Sequence, residues 1–156
     1  MAGALLDADY GAPLCTARPQ QWFDAEQGRV HRAVNVVWPR ALGTTPAGMA
    51  RALTEHSAPR GVRYRWRRSA RRDSLADVCD AVAAGWPVPM LIGSGLPRHW
   101  VLLTEIDDSA VRCYEPSSGR LLPIPMADIR KARLTGLGFP RPFAFVLPRL
   151  AARFES

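Results

Sequence analysis

Hydrophobic positions fall into two regimes along the chain. Ahead of Gly85 most recur at spacings of three and four residues; beyond it they come as short runs broken by Gly, Pro, Asp and Ser. In the first regime, Trp22, Phe23, Val30, Val34 and Val37 share one broad side of a helix over 19–37, which Trp38-Pro39 ends. A second helix is predicted from Thr45 as N-cap, with Pro46 at its first position, to about His56, burying Met49 and Leu53. A third starts at Asp73-Ser74, places Leu75, Val78, Cys79 and Val82 at core spacing, and stops at Gly85. Between the last two, Val62, Tyr64 and Trp66 alternate with Arg63, Arg65 and Arg67, the pattern of a half-buried edge strand with arginines facing solvent. Ala2–Leu6 is apolar and helix-prone but has no N-cap, so it reads as the back half of a helix, and Met1 is expected to be an internal start.

The second regime predicts strands. Val88–Ile92, His99–Ile106, Val111–Glu115 and Leu121–Ile124 are separated by Gly93-Ser94-Gly95, Asp107-Asp108-Ser109 and Pro116–Gly119, turn chemistry suited to sequential antiparallel pairing. A short helix over 125–132, a loop over 136–142 and a last strand at Phe143–Leu147, expected beside the His99 strand, complete the core; 149–156 is a polar tail. The fold class is therefore α+β: N-terminal helices followed by an antiparallel sheet, in one domain spanning 1–156.

Composition narrows the picture. Apolar residues make up 47% of 156 positions, enough for a core. No apolar run reaches the roughly 20 residues of a membrane span, and Met1 is followed by no basic, signal-like segment, so a cytoplasmic location is expected. Net charge is +7, which can mean a nucleic acid or another anionic surface; the reading placed first is that Arg and Ala enrichment reflects a GC-rich coding background. Alternation puts Tyr64 and Trp66 on the face opposite the arginines, which argues against a stacking platform for single-stranded nucleic acid. Cys15, Cys79 and Cys113 fit neither a disulfide framework nor a metal spacing, and no cofactor is implied.

Candidate chemistry rests on register. With Asp107-Asp108-Ser109 as a three-residue loop, Ile106 faces Ala110 and Val101 faces Glu115, so His99, Val101, Cys113 and Glu115 share one face. His99 and Glu115 become diagonal neighbours roughly 7–8 Å apart at the backbone. A carboxylate on the Nδ1–H of an imidazole fixes its tautomer and leaves Nε2 as a base, the back half of a nucleophilic triad. A two-residue loop would separate the pair. His31, on the predicted 19–37 helix, reads as a partly exposed helix residue without chemistry.

Gly85-Trp86-Pro87-Val88 ahead of a strand, a Gly-rich loop, His99-Trp100-Val101 opening the next strand, an Asp-Asp turn, and an acidic residue before Pro116-Ser117-Ser118-Gly119 together resemble papain-like cysteine peptidases, closest to the bacteriocin-processing, leader-peptide-cleaving branch. Gly43-Thr44-Thr45-Pro46 also recurs in those relatives, in a structural role. The resemblance covers roughly the C-terminal half. It implies a papain-like fold, peptide or amide hydrolysis, a peptide or protein substrate, His99 as general base, and Glu115, where the family usually has Asp, as its orienting acid. The family's nucleophile, a Cys followed by Gly at the start of the first helix with a Gln several residues earlier, has no counterpart here. Cys15 is bracketed by prolines with no Gly after it; Cys79 and Cys113 sit among core positions. The nucleophile is expected upstream of Met1 or lost, leaving a chain without activity as written. Two other readings stand: a non-catalytic binding or structural module on the same scaffold, and an Arg-rich nucleic-acid-binding domain.

Overall fold

The structure is a computed structural model that describes residues 2–6 and 44–149. The predicted helix over 19–37, with His31, and Cys15 lie outside the described residues. Those described form an α+β arrangement: helices α1 (Ala2–Leu6), α2 (Pro46–Ser57), α3 (Ala76–Ala83) and α4 (Met126–Arg130), and strands β1 (Arg63–Arg68), β2 (Val88–Gly93), β3 (Pro97–Ile106), β4 (Ala110–Glu115), β5 (Arg120–Pro125) and β6 (Arg141–Arg149). The strands build one antiparallel six-stranded sheet in the order β1-β6-β2-β3-β4-β5.

Two clusters of apolar side chains cover the two faces. Val88, Met90, Ile92, Val101, Leu103, Val111, Cys113, Phe145 and Leu147 pack with Leu75, Val78 and Val82 of α3 and Met126 and Ile129 of α4. On the other face Tyr64 and Val146 pack with Leu6 of α1 and Ala50 and Leu53 of α2, with Trp100 against them. Alternation does this sorting, since successive strand residues point to opposite sides. β2 is buried along its whole length, as an unbroken apolar run between two covered faces must be.

The last strand does not pair with β3. β3 is flanked by β2 and β4, both joined to it by short connections, so β6 reaches the sheet on the far side of β2, with Met90 opposite Phe145, and carries β1 on its outer edge.

Local signals set the helix ends. Thr45 Oγ1 accepts from Gly48 N–H at 3.0 Å, and Pro46 begins α2. α3 starts later than Asp73-Ser74: buried Leu75 occupies the N-cap in the left-handed region (φ 57°), while the Asp73 carboxylate accepts from Leu75 N–H at 3.0 Å. At its other end Gly85 (φ 78°) closes a paired bond set, Gly85 N–H to Val82 O and Trp86 N–H to Ala81 O.

On β1 the expected alternation holds, with two departures. Arg63 and Arg65 are exposed and Tyr64 is buried, its hydroxyl donating to Pro87 O at 3.1 Å. Arg67 is half-buried, lying over the Phe145 ring and donating to Asp73 and Asp77; burial opposes its charge, but the hydrogen bond to Asp77, the strongest influence, and that to Asp73 raise its pKa. Trp66, on the face of Tyr64, is 41% exposed. The outer edge of β1 is partly closed by α2: Thr54 Oγ1 accepts from Tyr64 N–H at 2.9 Å and Ser57 Oγ donates to Val62 O at 2.7 Å.

One glycine positions the start of β3. A Cβ on Gly93 would lie 1.9 Å from the Leu96 carbonyl oxygen, so this turn admits no side chain there. We expect Gly93→Ala to cost about 2–3 kcal/mol in urea unfolding, and Gly95→Ala, where a Cβ meets nothing within 4 Å, well under half of that. Equal losses would show that the turn relaxes freely.

Candidate active site

The β3–β4 hairpin brings His99 and Glu115 together, by a route other than the one the turn suggests. Ile106 pairs with Val111, not Ala110, so the connection has one more residue than expected. Asp107 N–H donates to Ala110 O at 3.0 Å across it. Such a loop alone would put Glu115 on the face opposite His99. A bulge follows between Leu103 and Glu105, and the register resumes with Leu103 opposite Cys113 and Leu102 opposite Tyr114. The added bulge residue reverses the facing a second time, and continuing that register sets Val101 across from Glu115.

His99 Nε2 lies 2.6 Å from Glu115 Oε1. The glutamate is held at three points: Oε1 also accepts from Ser117 N–H at 2.8 Å, and Oε2 accepts from Ser118 N–H at 2.7 Å. These donors belong to the turn that follows Glu115, closed by Gly119 (φ 68°), whose N–H donates to Glu115 O at 2.8 Å. The Glu115 side chain is 11% exposed and that of His99 22%, so the acid is enclosed and the base remains within reach of solvent. Burial pushes the Glu115 carboxyl up, but the Ser117 N–H, then Ser118, His99 and the Ser117 side chain outweigh it and hold the pKa at about 2.

Because the carboxylate is ionised and can only accept, the hydrogen between the two groups sits on Nε2. The neutral ring then presents Nδ1 as its lone pair. The two nitrogens thus exchange the roles expected from sequence, with the same consequence: one tautomer of the neutral ring is selected, with its lone pair on the nitrogen that does not meet Glu115. The ring lies beside Phe139, centroids 5.9 Å apart. The neighbouring Trp100 points to the opposite face and donates Nε1–H to Thr44 O at 2.8 Å, tying this end of β3 to the start of α2.

Neither cysteine of the described residues is suited to attack. Cys113 is fully buried, and burial, helped by the Glu115 charge, pushes its thiol up to about 12. Cys79, on α3, is also raised by burial, against the pull of Arg130. Among the described residues no group of three or more His, Cys, Asp and Glu could hold a metal ion.

Sequence reasoning missed the Ser117 and Ser118 backbone donors, Phe139 and the bulge at Thr104. The first was readable: a carboxylate immediately before a Pro-Ser-Ser-Gly turn is placed to accept from the N–H groups two and three residues on. No protein-family model matches this chain, and no curated protein matches it.

Glu115 ties stability to pH. Its folded pKa lies below the ordinary value, 4.5, so its contribution is complete above about pH 4.5 and is lost as pH falls towards about 2. Urea unfolding across that interval should show wild type losing stability more steeply with acid than Glu115→Gln. Parallel profiles for the two proteins would mean that the carboxylate is not held in its ionised form.

Proposed function

We propose that this protein is a cysteine-peptidase-like hydrolase site on a papain-like scaffold, acting on a peptide or amide bond, with His99 as general base and Glu115 as its orienting acid. The observation that supports this most directly is the 2.6 Å contact from Nε2 to a carboxylate itself fastened by two backbone N–H groups. That arrangement fixes both the tautomer and the plane of the imidazole, and leaves Nδ1 as the lone-pair nitrogen to accept a proton from a thiol and return it to a leaving amine. In such a step the thiol sulfur bonds to the substrate carbonyl carbon, its proton passes to Nδ1, and the imidazolium is stabilised by the Glu115 charge. The nucleophile comes from outside the described residues, since Cys113 and Cys79 are both held as thiols.

A second reading, a non-catalytic binding module on the same scaffold, is favoured by one observation. The described residues bring no ionisable thiol to His99, and the Glu115 contacts also serve to fold the turn. The nucleic-acid reading has less support, because Tyr64 is buried and stands on the face opposite the arginines.

The test is hydrolysis of a quenched-fluorescence peptide pool by the full chain and its variants. On the hydrolase reading, His99→Ala lowers the rate by about 100-fold or more, and Cys79→Ala and Cys113→Ala leave it within about twofold wherever they fold. Glu115→Ala gives an intermediate loss, because the imidazole remains but rotates and tautomerises freely. A full chain that shows no rate above His99→Ala is the outcome expected where this sequence supplies no nucleophile, and it rejects hydrolysis by the chain as written and leaves the binding module.

A further inference from the structure

The antiparallel register gathers particular strand ends at the edge of the sheet where His99 and Glu115 stand. Arg68 lies opposite Ala144 near the start of β6, Gly93 is opposite both Arg141 and Pro97, and Glu115 is opposite Arg120. Arg68, Arg98, Arg120 and Arg141 therefore mark this end, and Arg71 and Arg72 follow directly from β1. All six are exposed, and among the described residues none makes an ion pair or a side-chain hydrogen bond. Among the described residues, the carboxylates at this end are already engaged: Glu115 with His99 and its turn, Asp73 and Asp77 with Arg67. At the other end of the sheet the signs mix, with Asp107 and Asp108 in the β3–β4 loop and Glu105 paired with Arg112. Among the described residues the arginines at this end thus outnumber the carboxylates, and the site opens into a field that is predominantly positive.

We propose that this end of the sheet binds an acidic, extended peptide segment, and that such a segment is the substrate class of the His99–Glu115 site; the substrate assignment rests on the hydrolase reading, whereas the binding does not. A peptide is favoured over nucleic acid by two features. Single-stranded nucleic acid calls for several stacking rings among its cations; here Tyr64 is buried and Trp66, 41% exposed, is the one accessible ring of β1 that shares a face with Arg68. The loop between β2 and β3 instead presents an aliphatic side chain, Leu96, 59% exposed, beside the arginines, and Phe139 lies half-buried against His99. Carboxylates interspersed with aliphatic residues match that surface.

The experiment is fluorescence anisotropy of the full chain with labelled peptides of about a dozen residues, alike except for a run of Glu, Gln or Lys, at about 50 mM and about 300 mM salt. The Glu peptide should bind at least about tenfold more tightly than the Gln peptide at low salt and lose most of that margin at high salt. The double variant Arg71→Ser/Arg72→Ser, and separately Arg98→Ser/Arg141→Ser, should each shrink the margin by about threefold or more, whereas Arg63→Ser/Arg149→Ser, at the far end of β1, should leave it unchanged. Equal binding of Glu and Gln peptides overturns the proposal, as does a margin that follows Arg63 and Arg149. An oligothymidylate of similar length that binds more tightly than the Glu peptide, with a steeper salt dependence, replaces the peptide with nucleic acid. Acid-selective binding without hydrolysis defeats only the hydrolase reading; hydrolysis without acid selectivity defeats only this one.

Discussion

An ionised carboxylate removed from water must find donors for its oxygens, and the surroundings of Glu115 are shaped by that requirement. The donors are the Ser117 and Ser118 N–H groups and His99 Nε2. The first two fold the turn into β5; the third orients the first residues of β3. One buried charge therefore links β3, β4 and the turn, and the same interaction that stabilises the hairpin selects the imidazole tautomer. The arrangement makes the acid structurally costly to replace even where no reaction takes place, so persistence of Glu115 alone would not identify an enzyme.

The sheet transmits this order to both of its faces. His99 and Trp100 are consecutive, so one points towards Glu115 and the other towards the start of α2, where the indole donates to Thr44 O. Sideways motion of this end of β3 would disturb both contacts together. Gly93 supports the same end from β2, since its missing side chain is what allows the Leu96 carbonyl to approach.

What was legible in the sequence was mostly local. Thr45 and Pro46 announce α2 because capping is settled within four residues, and the hairpin strands follow from turn residues a few positions apart. The facing of His99 and Glu115 was reached with a wrong intermediate: the loop is longer than Asp107-Asp108-Ser109 suggests, and a bulge beside Thr104 restores the parity. Nothing in Leu103-Thr104-Glu105 marks that bulge, because it depends on how β4 settles against its partner. Nor could sequence place β6 between β1 and β2, a contact between segments far apart in the chain that only the completed core decides. The choice between Nδ1 and Nε2 was equally out of reach, since it turns on the side-chain path of a glutamate across a diagonal pair.

The way the two outer strands end the sheet bears on how the molecule behaves in company. On β1, Thr54 and Ser57 of α2 occupy backbone groups that would otherwise face outward at Tyr64 and Val62. On β5, Pro123 and Pro125 remove two N–H groups from the other margin. Neither margin offers the uninterrupted ladder that a second copy would need to continue the sheet. Among the described residues, a sheet of short apolar strands thus presents a second copy with two interrupted margins instead of a continuous template.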